Sequence, residues 1–155
     1  MSIRPATSAD IPRLAELTME VHDLHVAHMP ELFTPASRGA LRSYYRDLLG
    51  SERSQVLVAC EGDSVVGYMI LVVYDRSSYP GLRPMRYLYV DSIGVTAAHR
   101  RRGHATALLA EARALARAEG IDAIELDSWA FNEEAHAFFR SQGFETLCLR
   151  MGTAV

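Results

Sequence analysis

The sequence predicts one mixed α/β domain, an antiparallel sheet layered with helices. Three observations carry this. Two β-rich runs, Gln55 to Cys60 and Ser64 to Tyr74, flank the compact turn Glu61-Gly62-Asp63 and read as a hairpin. Tyr87 to Val95, another run of β-formers, leads into a long alanine-rich helix, so strand–helix–strand units follow the hairpin. At 155 residues the chain has the size of a single domain, 1–155, and can bury roughly 70% of the surface that its unfolded form exposes.

Taken in order, Ile3 and Arg4 suggest a short first strand, and Thr7-Ser8-Ala9-Asp10 offers a helix start with Pro12 in the first turn. Leu14, Leu17, Val21 and Leu24 give that helix a buried stripe. Pro30 and Pro35 break the chain, and Ser37 to Leu49 resumes as a helix with Leu41, Tyr44, Tyr45, Leu48 and Leu49 before Gly50 stops it. After the hairpin, Asp75 to Pro84 is expected to be a long polar loop forming a lip of the site. Tyr87 to Val95 then places Tyr87, Tyr89, Asp91, Ile93 and Val95 on one strand face. Ala105, Leu108, Leu109, Ala112, Leu115 and Ala116 mark the apolar face of the following helix, which Gly120 ends. Ile121 to Trp129 is the next expected strand, Asn132 to Gln142 a helix, and Glu145 to Met151 a last strand.

Composition narrows the classes. A content of 49% hydrophobic and 23% charged residues excludes a disordered or collagen-like chain. A net charge of −3 gives no electrostatic case for a nucleic-acid partner. The longest apolar runs are far short of the roughly 20 residues that span a bilayer, and no apolar signal region opens the sequence, so a cytoplasmic protein without a membrane partner is expected. Cys60 and Cys148 match no metal or redox spacing and are read as reduced core residues. His22, His25 and His28 stand three apart; each step turns about 60° around a helix, so the outer two diverge by about 120° and do not share an ion. No metal site is expected.

Two features of the central unit carry chemistry. Asp91 is a carboxylate in an apolar strand, so it must find a partner, reach solvent in a cleft, or take a raised pKa. At the start of the long helix, Gly103 allows close backbone approach, Ala105 and Thr106 leave room, and free N–H groups at the helix terminus make an anion site. Arg100, Arg101 and Arg102 add three positive charges there, a complement to a pyrophosphate.

The run Arg100-Arg101-Arg102-Gly103-His104-Ala105 resembles the pattern Q/R-x-x-G-x-G/A of the GCN5-related N-acetyltransferases, and lies between a strand and a long helix as in that family. Asn132 to Phe144, NEEAHAFFRSQGF, is similar to the family's second signature, N-x-x-A-x-x-F-Y-x-x-x-G-F. The opening IRPATSADIPRLAEL resembles its first strand and helix, so the likeness covers essentially the whole chain.

The resemblance implies a mainly antiparallel sheet with helices on both faces and a splayed pair of central strands, Tyr87–Val95 and Ile121–Trp129, with the acyl-carrying arm of coenzyme A in the split. It implies acetyl-CoA as cosubstrate, held by Arg100, Arg101, Arg102, Gly103, His104, Ala105 and Thr106 at the phosphates and by the backbones of Ile93, Gly94 and Val95 along the pantetheine. Asn132 is a good helix N-cap in its own right, and in the family also turns toward the coenzyme arm. The segment between the first two helices becomes a wall of the acceptor site, bearing His25, His28, Glu31 and Phe33; taken singly, each is explained by packing or solvation. Relatives acting on polyamines carry a glutamate at the Asp91 position as general base, which makes Asp91 the expected catalytic residue. An aspartate near pKa 3.9 is a weak base for an amine near 10, so it would work through water or by holding the amine.

One departure matters. Phe138-Phe139 stands where the family commonly has Phe-Tyr, and that tyrosine's hydroxyl is assigned as the acid for the departing thiolate; Tyr87 and Tyr89 are alternative donors. Neither cysteine falls in the motifs, so direct attack in a ternary complex is expected, without a covalent enzyme intermediate. The expected acceptor is a primary amine of a small molecule. A regulatory acetyl-CoA-binding module without turnover, a protein or peptide N-acetyltransferase, and pairing into a homodimer stay open.

Overall fold

The computed structural model describes residues 1–76 and 80–153. Its five strands are β1 (Ser2–Pro5), β2 (Ser54–Glu61), β3 (Ser64–Arg76), β4 (Met85–Val95) and β5 (Ile124–Leu126). The α-helices are α1 (Ile11–His28), α2 (Arg38–Leu49), α3 (His104–Ala118) and α4 (Glu133–Ser141). The strands form one sheet in the order β1-β2-β3-β4-β5, antiparallel except for the parallel β4–β5 pair.

Strand periodicity divides the core into two. In β2, Val56, Val58 and Cys60 join Leu14 and Leu17 of α1 and Tyr45 of α2 on one face. Leu57 and Ala59, between them, pack on the other face with Leu108, Leu109 and Ala112 of α3 and Phe139 of α4. Both faces are covered, which is why β2 and β3 read as continuous apolar runs rather than alternating ones. A fully buried leucine such as Leu14 or Leu108 contributes about 1.5–3 kcal/mol relative to exposure. Near the N-terminus, Asp10 receives two 2.8 Å hydrogen bonds from the Arg4 guanidinium and a 2.7 Å bond from the Thr7 N–H, fastening β1 to the entry of α1.

Several expectations need correction. Glu145–Met151 is not a strand: it pairs with nothing in the sheet, and Leu147, Leu149 and Met151 are exposed. Cys148 lies on that segment and is exposed, so only Cys60 is a core cysteine. The strand expected over Ile121–Trp129 contracts to Ile124–Leu126, because β5 pairs only with Leu88–Val90 and then leaves β4. Leu24 is not in the α1 stripe but is 39% exposed. The loop expected from Asp75 begins later, as β3 runs to Arg76; residues 77–79 of the lip lie outside the described residues.

The strand face proposed for Asp91 also changes. Ile70 of β3 pairs with Ser92 and Leu71 with Val90, so Asp91 is an extra residue in the ladder, a β-bulge. A bulge reverses the alternation beyond it. Val90 and Ile93 pack toward α3, whereas Ser92 and Gly94 meet Tyr68 on the α1 side. Ile93 therefore does not share a face with Tyr87, Tyr89 and Asp91.

Candidate active site

The bulge and the short β4–β5 pairing create a cleft. Beyond Val90 and Leu126 the two strands have no shared ladder, and the backbone of 91–95 borders a space of about 900 Å³ instead of a fifth strand. Asp91, Ile93, Gly94, Val95, Arg100, Arg101, Gly103, His104, Ala105, Thr106 and Asn132 all line it. Of the candidate catalytic and coenzyme-binding residues only Arg102 does not; its guanidinium approaches Glu61 at 3.8 Å.

At one end, Gly103 is the N-cap of α3 with φ +85°, a left-handed conformation natural to glycine. A Cβ placed there would meet no atom within 4 Å, so the space above is open. The first intrahelical bond of α3 runs from Ala107 N–H to the Gly103 carbonyl (2.9 Å), which leaves the N–H groups of His104, Ala105 and Thr106 without intrahelical acceptors. Arg101 is also left-handed, φ +58°, a conformation uncommon for a side-chain-bearing residue. The Arg100 Nε donates to the Val95 carbonyl at 3.1 Å, tying the loop to the end of β4.

The His104 side chain is buried and turned from the helix N-terminus: its Nε2–H donates to Glu61 Oε1 at 2.8 Å. With the ring engaged by Glu61, the backbone N–H is the group that His104 can offer an anion at the start of α3. Glu61, the last residue of β2, also has His99 at 3.6 Å, and the His104 hydrogen bond followed by the nearby positive charges holds its carboxyl below the usual range. Sequence reading gave Glu61 only a turn role; nothing in its spacing connects it to a histidine 43 positions later.

At the other end, Asp91 is exposed to the cleft and accepts a 3.1 Å hydrogen bond from the Tyr44 hydroxyl of α2. Burial, reinforced by the Asp91 charge, pushes the Tyr44 hydroxyl well above the usual phenol range, so it remains protonated and donates. The Tyr68 hydroxyl, 2.9 Å from Ser92 Oγ, is the second phenol on the cleft. Tyr87 and Tyr89 are not on its wall. Tyr87 stacks against Tyr74, and burial, followed by Asp127, pushes Tyr89 up to about 12. Phe139 is 8% exposed and packed in the α3 core, with no hydroxyl at that point of the wall. Asn132 caps α4, its Oδ1 accepting from Ala135 N–H at 3.1 Å, while also lining the cleft.

Aromatic rings cluster on the part of the cleft between α1, the chain before α2 and the chain after β5. Phe33, before α2, contacts His25 of α1 (5.2 Å between centroids) and Trp129, after β5 (5.5 Å). Phe131 stacks on His28 at 4.5 Å. The three histidines are committed to backbone carbonyls: His22 to Thr34, His25 to Val21 and His28 to Leu24. Among the described residues no three His, Cys, Asp or Glu side chains are grouped to hold a metal ion. Glu31 is exposed and not part of the cleft wall. Tyr44 and Trp129 were missed in sequence; the signal for Tyr44 was its place next to Tyr45, since adjacent helix residues cannot both face the core.

A sheet parted between its parallel strands, with a glycine-opened helix N-terminus at one end and a carboxylate at the other, gives a cleft in which a long ligand can lie along exposed strand backbone. The chain belongs to the acetyltransferase (GNAT) family, which matches residues 18–144. It is accordingly an N-acetyltransferase with acetyl-CoA as donor. No curated protein matches the sequence. A tetramutant of the BH1408 protein from Bacillus halodurans has a similar structure, with TM-score 0.93, 26% identity and 100% of each chain covered. An aminoglycoside antibiotic 6′-N-acetyltransferase from Acinetobacter haemolyticus shares the fold at TM-score 0.76 and 21% identity, over 100% of this chain and 99% of that one. An aminoglycoside N-acetyltransferase in complex with CoA does so at TM-score 0.80 and 15% identity, over 99% and 93%. No helix among the described residues is long and apolar enough to cross a membrane.

Proposed function

We propose that this N-acetyltransferase acetylates the primary amine of a small molecule, by direct attack in a ternary complex. The observation that carries this reading is Asp91: a solvent-accessible carboxylate on the bulge of β4, in the same cleft as the glycine-opened terminus of α3. The left-handed Gly103, the open space above it and the free N–H groups of the first turn of α3 fit a pyrophosphate. Arg100 and Arg101 face it from the loop, whereas Arg102 is taken up by Glu61.

Bound acetyl-CoA supplies an acetyl group activated as a thioester. Asp91 holds the incoming ammonium by charge and takes its proton, directly or through water, so that the nitrogen attacks as a free amine. Backbone N–H groups of the 93–95 stretch, which pairs with β3 but has no neighbour on its β5 side, steady the negative charge on the carbonyl oxygen. As the N–C bond forms and the C–S bond breaks, the attacking nitrogen gives up its second proton and the departing sulfur takes one up through water in the open cleft, since Phe139 carries no hydroxyl and Tyr44 donates its own to Asp91. The rings of Phe33, His25 and Trp129 provide an apolar wall for the body of the amine.

The test is an amine panel, including aminoglycoside, polyamine and arylalkyl members, assayed by thiol release from acetyl-CoA. Turnover of one or more small amines is expected. Activity confined to peptides would overturn the small-molecule acceptor, and an absence of thiol release with every amine and peptide would overturn the catalytic scheme.

A further inference from the structure

Glu61 brings a negative charge to a loop whose other charges are positive. In β2, Leu57 and Ala59 pack toward α3, and Glu61, two positions further along the strand, reaches the same side. Its two carboxylate oxygens gather the loop that leads into α3. Oε1 accepts from His104 Nε2–H at 2.8 Å, while Oε2 has His99 Nε2 at 3.6 Å and the Arg102 guanidinium at 3.8 Å. The His99 and His104 rings meet edge-on, 6.3 Å between centroids.

This is more than a surface ion pair. The His104 side chain is 1% exposed, and its Nδ1 is buried with no hydrogen-bond partner among the described residues, so Glu61 is the polar partner on which a buried ring depends. Without it the imidazole would lose a hydrogen bond to a charged group and still bear the cost of its burial. The loop is demanding as well: Arg101 and Gly103 are both left-handed, φ +58° and +85°, and a residue with a side chain keeps such a backbone only where its surroundings hold it. Arg100, bonded to the Val95 carbonyl, ties the loop to β4; Glu61 ties it to β2.

We propose that Glu61 is a positioning residue for the coenzyme: through the His104 ring it fixes the first turn of α3, so that the N–H groups of that turn converge on the pyrophosphate, a reading that rests on the pyrophosphate lying at this helix terminus. His104 links the two, because its ring donates to Glu61 and its backbone N–H is among those without an intrahelical acceptor. The sign of the effect separates this role from direct electrostatics. A carboxylate near a bound polyanion repels it, so deleting Glu61 for its charge alone would tighten coenzyme binding, whereas deleting a positioning residue weakens it.

The test compares Glu61→Ala and Glu61→Gln in the full chain, by calorimetry with coenzyme A and with pantetheine, which has the coenzyme's arm but no pyrophosphate. Glu61→Ala is expected to raise the coenzyme A dissociation constant about tenfold or more, the effect of a lost hydrogen bond to a charged group. Pantetheine affinity and circular dichroism should be unchanged. In the ligand-free variant the Ala107 amide, bonded to the Gly103 carbonyl, should exchange faster than in wild type. Glu61→Gln keeps an oxygen that accepts from His104 Nε2–H, so it should restore most of the affinity; a glutamine variant as weak as the alanine one would reject the route through His104. An equal loss of pantetheine affinity in Glu61→Ala would overturn the proposal, since it marks a general loosening of the fold. So would unchanged or tighter coenzyme A binding, with Gly103→Glu as the reference: weak binding there beside wild-type binding in Glu61→Ala rejects the positioning role alone, and wild-type binding in both rejects the phosphate placement with it.

Discussion

Tyr44 of α2 donates its hydroxyl to Asp91, the unpaired residue of the β4 bulge, across 3.1 Å. A helix and a strand 47 positions apart in sequence thus meet in one hydrogen bond on the wall of the cleft. Removing the carboxylate charge with Asp91→Asn is expected to lower kcat/KM by about 10²–10⁴, the usual range for a positioned acid or base. Tyr44→Phe removes a hydrogen bond to a charged group, worth about 1.5–3 kcal/mol, and is expected to cost about ten- to a hundredfold. Coenzyme affinity should stay near wild type in both, as measured by calorimetry. Full turnover in Asp91→Asn with intact folding would end the catalytic assignment.

The anion end is tested at Gly103. Gly103→Ala meets no neighbour and costs only left-handed strain, on the order of 1–2 kcal/mol of stability. Gly103→Glu adds bulk and negative charge where the pyrophosphate is proposed to lie, and should weaken coenzyme A binding more than tenfold beyond the alanine variant. Equal affinity in the two variants would move the phosphate site.

Gly94 is constrained by packing instead. A Cβ there would lie 2.7 Å from Tyr68 Cε1 and 2.8 Å from Val21 Cγ2, so Gly94→Ala overpacks the junction of β4 and α1. A loss of about 1–3 kcal/mol is expected from denaturant midpoints. Adding Val21→Ala should recover part of it, because the two sites share the clash; strict additivity would show that the strain lies elsewhere.

Asp10 sets an acid limit on stability. The hydrogen bonds from Arg4, with further ones from Thr7, lower its pKa to about 2 despite burial acting in the opposite direction. Because the folded-state value is depressed, this stabilisation is complete above the unfolded value near 4 and is lost as pH falls through about 2. Wild type should therefore exceed Asp10→Asn in stability by a constant margin from pH 7 to about 5, narrowing between about 4 and 2. A margin independent of pH across that window would contradict the pairing.

Sequence patterns resolved whatever depends on local periodicity. The apolar faces of α3 and of β2 and β3, the capping Asn132 and the glycine-opened terminus at Gly103 were all legible. What remained hidden depends on register. The bulge at Asp91 is a two-against-one mismatch with Ile70 and Leu71, and no property of residues 87–95 taken alone announces it. That mismatch determines which of Ile93 and Gly94 faces α1. The pairing of His104 with Glu61 and of Tyr44 with Asp91 likewise joins positions more than forty residues apart. Glu145–Met151 shows the converse: its strand signal is real, but a strand needs a neighbour, and one chain does not supply it.

The β4–β5 ladder is three residue pairs long, so β5 and the chain leading to α4 are held to the rest of the sheet mainly through side chains on the α3 core. A short ladder of this kind opens locally at a lower free energy than global unfolding. The aromatic stretch Trp129 to Phe131 lies just beyond it, which makes that stretch the point at which chymotrypsin should first nick the free protein. Coenzyme A seated between the parted strands would bind only the closed form, so the cleavage rate should fall in proportion to ligand occupancy. The cleft is then also a kinetic weak point, resistant to proteolysis only while it is in use.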